Sequence, residues 1–365
     1  MGKEENKIYL VALISAPSIN TKSCAKLCHW FGSPRAAWEA NDKELKPIFE
    51  GKAEAMEQFI HYRKTNTPEK LWAKIETEDV WVTSIEDETY PIPLKTIQDP
   101  PLVLFGKGKC LSYEKAVAIV GSRKATYYGK HVAETLARGL SDEGFLIVSG
   151  MARGIDTAAH LGALKSNGIT TAVLGCGLDI VYPPENRELM ERIQKLGTVM
   201  SEFPLGTRPE SWNFPARNRI ISGLCLGVIV VEATEKSGAL ITVDYALDQG
   251  KDVFAVPGPI TSPNSAATNQ LIKEGAKMVT STQDILEEYK LPAQVAFKWG
   301  EEKPPMNLTP DEQKVFSALG SMPIHGDALV QSLALQASTV QSILLHLELK
   351  GLAKQLPGKY FVKSY

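Results

Sequence analysis

Five short segments hold most of the side chains that could grip an anionic ligand. Gly121-Ser122-Arg123 follows the apolar run from Ala116 to Val120, and Gly150-Met151-Ala152-Arg153-Gly154 follows the run from Phe145 to Ser149. Gly175-Cys176-Gly177 closes a third run that starts at Thr171, and Lys236-Ser237-Gly238 comes shortly after a run from Gly227 to Glu232. Ahead of that last run stands Phe214-Pro215-Ala216-Arg217-Asn218-Arg219. Each piece suits phosphate. Glycine lets a backbone approach closely, a serine offers its hydroxyl, and the planar guanidinium fork matches phosphate oxygens. A helix starting near Thr126 would add free N–H groups and a positive dipole end, and Ser237-Gly238 at the next helix start repeats the arrangement. The candidate contacts are therefore Gly121, Ser122, Arg123, Arg153, Phe214, Arg217, Asn218, Arg219, Lys236, Ser237 and Gly238.

Each has a plainer reading. Gly121-Ser122-Arg123 could be a strand-to-helix turn carrying a surface arginine, because short glycine motifs are weak signals. Arg217 and Arg219 alternate at a helix end and point different ways, so one can serve the structure and the other a ligand. Phe214 is either a base-stacking platform or core. Asp156 and His160 share a helix face one turn apart, as an acid–base pair would, but such a pair more commonly caps or staples its helix. Cys24 and Cys28 are also one turn apart, with His29 adjacent, yet no fourth metal ligand stands nearby. The five cysteines are odd in number and scattered, which argues against a disulfide framework.

The elements that must position these segments alternate regularly. Apolar runs at 116–120, 145–149, 171–174, 198–201, 227–232, 252–256 and 276–280 are separated by helical patterns such as 131–141, 157–165, 185–195 and 240–249. Continuous apolar strands separated by helices predict an α/β fold, a doubly wound, mostly parallel sheet covered on both faces. Ligands of such sheets bind beyond the carboxyl ends of the strands, where the five segments fall. The formal net charge is −2, so a nucleic-acid binder of this composition must concentrate its cations, and this edge is where they gather.

The flanks read differently. Residues 1–85 predict a small helical domain of short helices, broken at Ala16-Pro17-Ser18-Ile19-Asn20 and at Gly32-Ser33-Pro34. The main domain is expected over 86–290, with 86–113 as a proline-bearing extended connector, and 291–306 as a linker. Residues 307–365 predict three helices followed by a hairpin, which is the winged-helix pattern. Thr309-Pro310-Asp311-Glu312 opens the first of these helices, with Thr as N-cap, Pro at the first position and Glu at the third. No apolar run approaches the roughly 20 residues that span a bilayer, and the charged start makes a poor signal peptide, so a cytoplasmic protein with no membrane insertion is expected.

Taken in order, the motifs resemble one family. Ala118-Ile119-Val120-Gly121-Ser122-Arg123, Ser149 to Asp156 with Ala159-His160, Val173 to Gly177 with Tyr182-Pro183 and Asn186, Phe214 to Leu224, Ser237 to Thr242 and Val256-Pro257-Gly258 are similar to the signatures of the DNA-processing protein A (DprA/Smf) family. The likeness covers about residues 100 to 290 in order. It implies a Rossmann-like sheet, with residues 8 to about 40 resembling a helix-hairpin-helix (SAM-like) start, and a winged-helix end. It implies a cofactor-independent, homodimeric, non-enzymatic protein that coats incoming single-stranded DNA and helps load RecA during natural transformation. It also places the Gly-Ser-Arg turn in a basic DNA pocket, a role carried to Gly121, Ser122 and Arg123 and, further, to Phe214, Arg217 and Lys236. One departure stands out: 16–20 lies where a glycine-bearing hairpin would be expected, which argues against a phosphate contact there.

Two other functions fit the sequence less well. A nucleoside-monophosphate phosphoribohydrolase on a similar sheet would need a Pro-Gly-Gly-x-Gly-Thr-x-x-Glu stretch, and Ser237 to Asp244 lacks its glycines and glutamate. A regulator acting through the winged helix would need a basic recognition helix, and the helix from about Ser338 to Lys350 has few cations on its outer side. A P-loop ATPase is excluded by the absence of the Gly-x-x-x-x-Gly-Lys-Ser/Thr pattern.

Overall fold

The computed structural model describes residues 3–166, 168–289, 308–320, 323–333 and 335–363. The expected linker, 291–306, lies outside them. Six helices come first: α1 (Lys3–Ser15), α2 (Thr21–Phe31), α3 (Pro34–Glu39), α4 (Asp42–Leu45), α5 (Ala53–Thr65) and α6 (Pro68–Thr77). Their starts are capped as the sequence dictates. Asn20, Ser33 and Thr67 each accept a backbone N–H from the first turn, and Asn41 with Glu44 forms a capping box. Leu13, Leu27, Leu45 and Phe59 fill the core of this layer.

A sheet with intervening helices follows: β1 (Trp81–Ser84), β2 (Val103–Gly108), β3 (Ala116–Val120), α7 (Tyr127–Asp142), β4 (Leu146–Ser149), α8 (Ile155–Lys165), β5 (Thr170–Leu174), α9 (Arg187–Leu196), β6 (Thr198–Ser201), α10 (Asn213–Gly223), β7 (Gly227–Val230), α11 (Ala239–Asp248), β8 (Asp252–Ala255), α12 (Ala266–Lys273), β9 (Lys277–Met278) and α13 (Thr282–Glu288). The strand order is β1-β2-β6-β5-β4-β3-β7-β8-β9. The strands from β3 to β9 pair in parallel, as the apolar runs predict. Alternation along β3 shows how both faces are buried: Val117 and Ile119 pack with α7 and α8, while Ala118 and Val120 pack with α10 and α11.

The expected connector 86–113 needs correction. It carries β2, which pairs antiparallel with both β1 and β6, so the sheet gains two antiparallel strands at one edge. Val103, Leu104 and Phe105 alternate between the two faces of the sheet and are fully buried. The prolines ahead of them, Pro100 and Pro101, end before the ladder begins and remove none of its hydrogen bonds.

The last domain contains α14 (Pro310–Ala318), β10 (Ile324–His325), α15 (Gly326–Leu333), α16 (Ala337–Leu349), β11 (Ala353–Leu356) and β12 (Tyr360–Lys363). It is a winged helix, with β10-β12-β11 as its small sheet. The capping box of Thr309 and Glu312 forms as expected. Val315, Leu329, Val340, Leu344 and Leu347 make its own core.

Candidate functional site

The chain leaves β3 toward β4 on one side and returns to pair β7 on the other. That makes the carboxyl end of β3 a topological switch point, where parallel sheets hold ligands. A groove opens there, lined by Gly121, Ser122 and Arg123 after β3, Phe214 and Asn218 of α10, and Ser237 and Gly238 before α11. A smaller hollow beside it is lined by Arg123, Arg153, Tyr182 and Phe214. Most of the expected residues therefore converge on one edge, but they play different parts.

Arg123 is exposed and makes no ion pair among the described residues. Its guanidinium carbon lies 5.2 Å from the centroid of the Phe214 ring, so a cation–π contact orients the side chain while its N–H fork stays open. Phe214 is half-buried and tilts against Tyr182, with ring centroids 5.3 Å apart. Gly175 makes room for that ring, since a Cβ there would lie 2.8 Å from Phe214 Cδ1. Lys236 is exposed and carries no ion pair among the described residues. Arg153 is exposed and bridges to the equally exposed Glu185, a pairing that an incoming phosphate can exchange.

Arg217 and Arg219 both turn inward. Arg217 donates through Nη1 to the carbonyls of Gly150 (2.9 Å) and Val173, and through Nε to Asn218 Oδ1 (3.3 Å). Arg219 grips Glu202 with both Nη atoms at 2.5 and 2.6 Å and donates to the carbonyls of Asp99 and Ala216. The structural-network reading thus describes both arginines. Asn218 Nδ2 donates to Gly238 O at 3.3 Å, tying α10 to the start of α11.

The turn after β3 is shaped by packing. A Cβ on Gly121 would meet both Glu232 O and Ile155 Cγ1 at 2.7 Å. Ser122 N–H donates to Glu232 O at 2.7 Å, and Ser122 Oγ accepts from Lys124 N–H at 3.1 Å. At the start of α7, where free N–H groups are expected, two are already taken. The buried Glu232 carboxylate accepts from Thr126 N–H at 2.9 Å and from its hydroxyl at 2.6 Å, and Thr126 Oγ1 accepts from Gly129 N–H. The Glu232 carboxylate thus offsets part of the positive dipole end of α7. The start of α11 is more open: Ser237 Oγ accepts from Ala239 N–H at 3.3 Å, no carboxylate caps it among the described residues, and open space lies around Gly238. Sequence reasoning passed over Glu232, although a carboxylate ending an otherwise apolar strand run was the visible signal.

Asp156 and His160 form no acid–base pair. Asp156 accepts N–H bonds from Gly150 (3.1 Å) and Ala152 (3.3 Å), folding the loop after β4 over the start of α8. Burial pushes its carboxyl up to about 6, against the pull of Arg217 and the two N–H groups. His160 is fully buried, and burial pushes it down to about 3. Thr170 Oγ1 donates to Ile147 O, so it accepts from His160 Nδ1–H at 2.8 Å, leaving Nε2 as a buried lone pair without a partner. Acid should therefore unfold this domain through His160. A histidine whose folded value is depressed contributes stability above its unfolded value near 6.5 that is lost as pH falls toward about 3. Asp156, with a raised folded value, acts in the opposite sense between about 6 and 4. His160→Gln is expected to lower stability at pH 7 but to flatten its fall between pH 6 and pH 4 by a few kcal/mol, read by urea unfolding across pH. An unchanged pH profile would remove His160 as the cause.

Among the described residues, no group of His, Cys, Asp and Glu could hold a metal ion, and Cys24 and Cys28 are free thiols on α2. Nor is any single described helix long and apolar enough to cross a membrane.

The fold and the groove together define a Rossmann-like sheet with an exposed arginine at its switch point, flanked by a helical layer and a winged helix. Comparison with known proteins narrows this. Residues 81–290 match the model of the DNA recombination-mediator protein A family, and residues 300–359 match the DprA winged-helix domain. The chain is 49% identical over 209 residues to the DNA processing protein DprA of Streptococcus pneumoniae, covering 57% of this chain and 73% of that one. It is 44% identical over 239 residues to DprA of Bacillus subtilis, covering 65% and 80%. Protein Smf of Synechocystis is 33% identical, over 96% of this chain and 97% of that one. The solved structure of S. pneumoniae DprA superposes with a TM-score of 0.66 at 38% identity, over 79% of this chain and 99% of that one. A structure of Helicobacter pylori DprA, described for its single-stranded DNA binding mode, gives 0.52 at 31% identity, over 57% and 95%. The chain belongs to the DprA/Smf family, a family of recombination mediators rather than of enzymes.

Proposed function

We propose that this chain binds single-stranded DNA in the groove at the switch point. In doing so it protects incoming DNA and helps load RecA in natural transformation and recombination. The observation that carries the reading is the Arg123 fork, without an ion pair among the described residues and held over the Phe214 ring at the mouth of the groove. A phosphate-binding cation beside an aromatic face is the pairing that single-strand binding requires, with no base code needed. Gly121, Ser122, Lys236, Ser237 and Gly238 line or flank the strand's path, and Arg153 joins by exchanging Glu185 for phosphate. Arg217, Asn218 and Arg219 shape the groove from beneath.

The protein works in the cytoplasm as a homodimer without a cofactor, which doubles the DNA track and raises apparent affinity by linkage. The sheet domain begins at β1, near residue 81 and not at 86, and runs to about 290, with the helical layer before it and the winged helix over about 307–365. The winged helix serves partner or duplex-shape contacts, because Gln341, Ser342 and His346 on the outer side of α16 offer few cations. The test is a fluorescence-anisotropy titration with single-stranded and duplex DNA of one length, across a salt series. Tight, salt-sensitive preference for the single strand is expected. Equal or absent binding would overturn the reading.

A further inference from the structure

The loop between β6 and α10 carries an aromatic side chain that neither the core nor the groove uses. Trp212 is 68% exposed, while Phe214, two residues later, is packed against Tyr182 and Gly175. The Trp212 indole offers a broad flat face that a planar ligand can cover. The backbone that presents it is tied down. Gly177 N–H donates to Thr207 O at 2.9 Å, and Gly206 N–H donates to Asp179 Oδ1 at 2.8 Å. Asn213 Nδ2 donates to Arg208 O at 3.1 Å, and Asn213 N–H donates to Glu210 O at 3.0 Å. Pro204 and Pro209 stiffen the loop further. The indole is thus held out on a fixed support, which lowers the entropy lost when a ligand settles on it.

Its surroundings point to the occupant. Ser211 on one side and Phe214 and Pro215 on the other line the groove with Arg123, so Trp212 stands on the rim of the same cleft. Arg208 and Glu210, both exposed, precede it in the same loop, and their charges cancel. The loop therefore adds an aromatic face and little net charge. Resting on the single-stranded DNA reading above, we propose that Trp212 is a stacking platform for a base of the strand as it leaves the Arg123 groove. Every base has a π-face, so this extends the track without imposing a sequence.

The distinguishing signature is a loss of affinity with an unchanged salt slope, because stacking releases no counterions. Trp212→Ala in the full chain is expected to weaken binding of about twenty nucleotides of oligothymidine roughly fivefold to a hundredfold, while Trp212→Phe keeps most of it. Indole fluorescence should fall on binding in the wild type, and less so in Trp212→Phe. Thermal unfolding of both variants should match the wild type. Wild-type binding that Trp212→Ala leaves unchanged would overturn the proposal and spare the groove. So would a loss accompanied by a lower melting temperature, which would make Trp212 structural. A changed oligomeric state would make it a contact between copies. A wild type that binds no single strand would sink the underlying reading as well.

Discussion

Arg123→Ala is expected to weaken single-stranded DNA binding about tenfold or more and to lower the salt slope by roughly 0.7, the share of one phosphate. The size follows from the setting. Arg123 has no carboxylate partner among the described residues, so its full charge is available to the ligand. A charge-assisted, bidentate bond to phosphate is among the stronger hydrogen bonds a surface can offer. Arg123→Lys separates charge from shape: it should keep the slope and still lose part of the affinity, because an ammonium has no planar fork. Neither change should disturb folding. Arg123 is exposed, and its aromatic contact with Phe214 is worth about 0.5–1 kcal/mol at a surface site. Weaker binding with an unaltered slope would mean that Arg123 acts on the shape of the groove and not on phosphate.

How much of this could be read from the sequence depends on where each interaction comes from. The parallel sheet was legible because β3, β4, β5 and β7 are predominantly apolar runs buried on both faces. The winged helix was legible because its first cap is local, from Thr309 to Glu312. The antiparallel edge was hidden. Val103 to Gly108 is short and follows two prolines, and its partners β1 and β6 lie far off in sequence. At the site, the converging loops were legible from strand ends, but the partners of the arginines were not. Arg219 reaches Glu202 and Arg217 reaches the carbonyl of Gly150, contacts that no local pattern encodes. The same holds for Glu232, which caps α7 from across the switch point, 106 residues away. Residue type marked these positions as charged and close to a ligand edge; only tertiary partners say which charges are spent.

Arg217→Ala should show the opposite profile to Arg123→Ala: a large loss of stability, with binding lost only as a consequence. Arg217 is 3% exposed, and its removal strands the carbonyls of Gly150 and Val173 together with the buried Asp156 carboxylate. Breaking one partner out of a buried charged network costs about 3–5 kcal/mol, a large share of the roughly 5–15 kcal/mol that holds a domain together. For a domain of this size that is roughly a 10 °C fall in melting temperature or more. Arg217→Lys should rescue only part, because an ammonium can stand in for Nη1 toward the two carbonyls but cannot also keep the Nε bond to Asn218 Oδ1. Asp156 supplies a second readout. Its carboxyl already sits near 6 with Arg217 in place, and without that cation it moves higher. A carboxyl whose folded value is raised contributes stability at low pH that is lost as pH rises through that value. The variant should therefore lose least stability near pH 5 and most near pH 8, as chemical denaturation at the two values would measure. If Arg217→Ala instead melts like the wild type at both and only binding suffers, Arg217 reaches out to the DNA when the strand is bound, and the groove must open beneath Phe214 to let it.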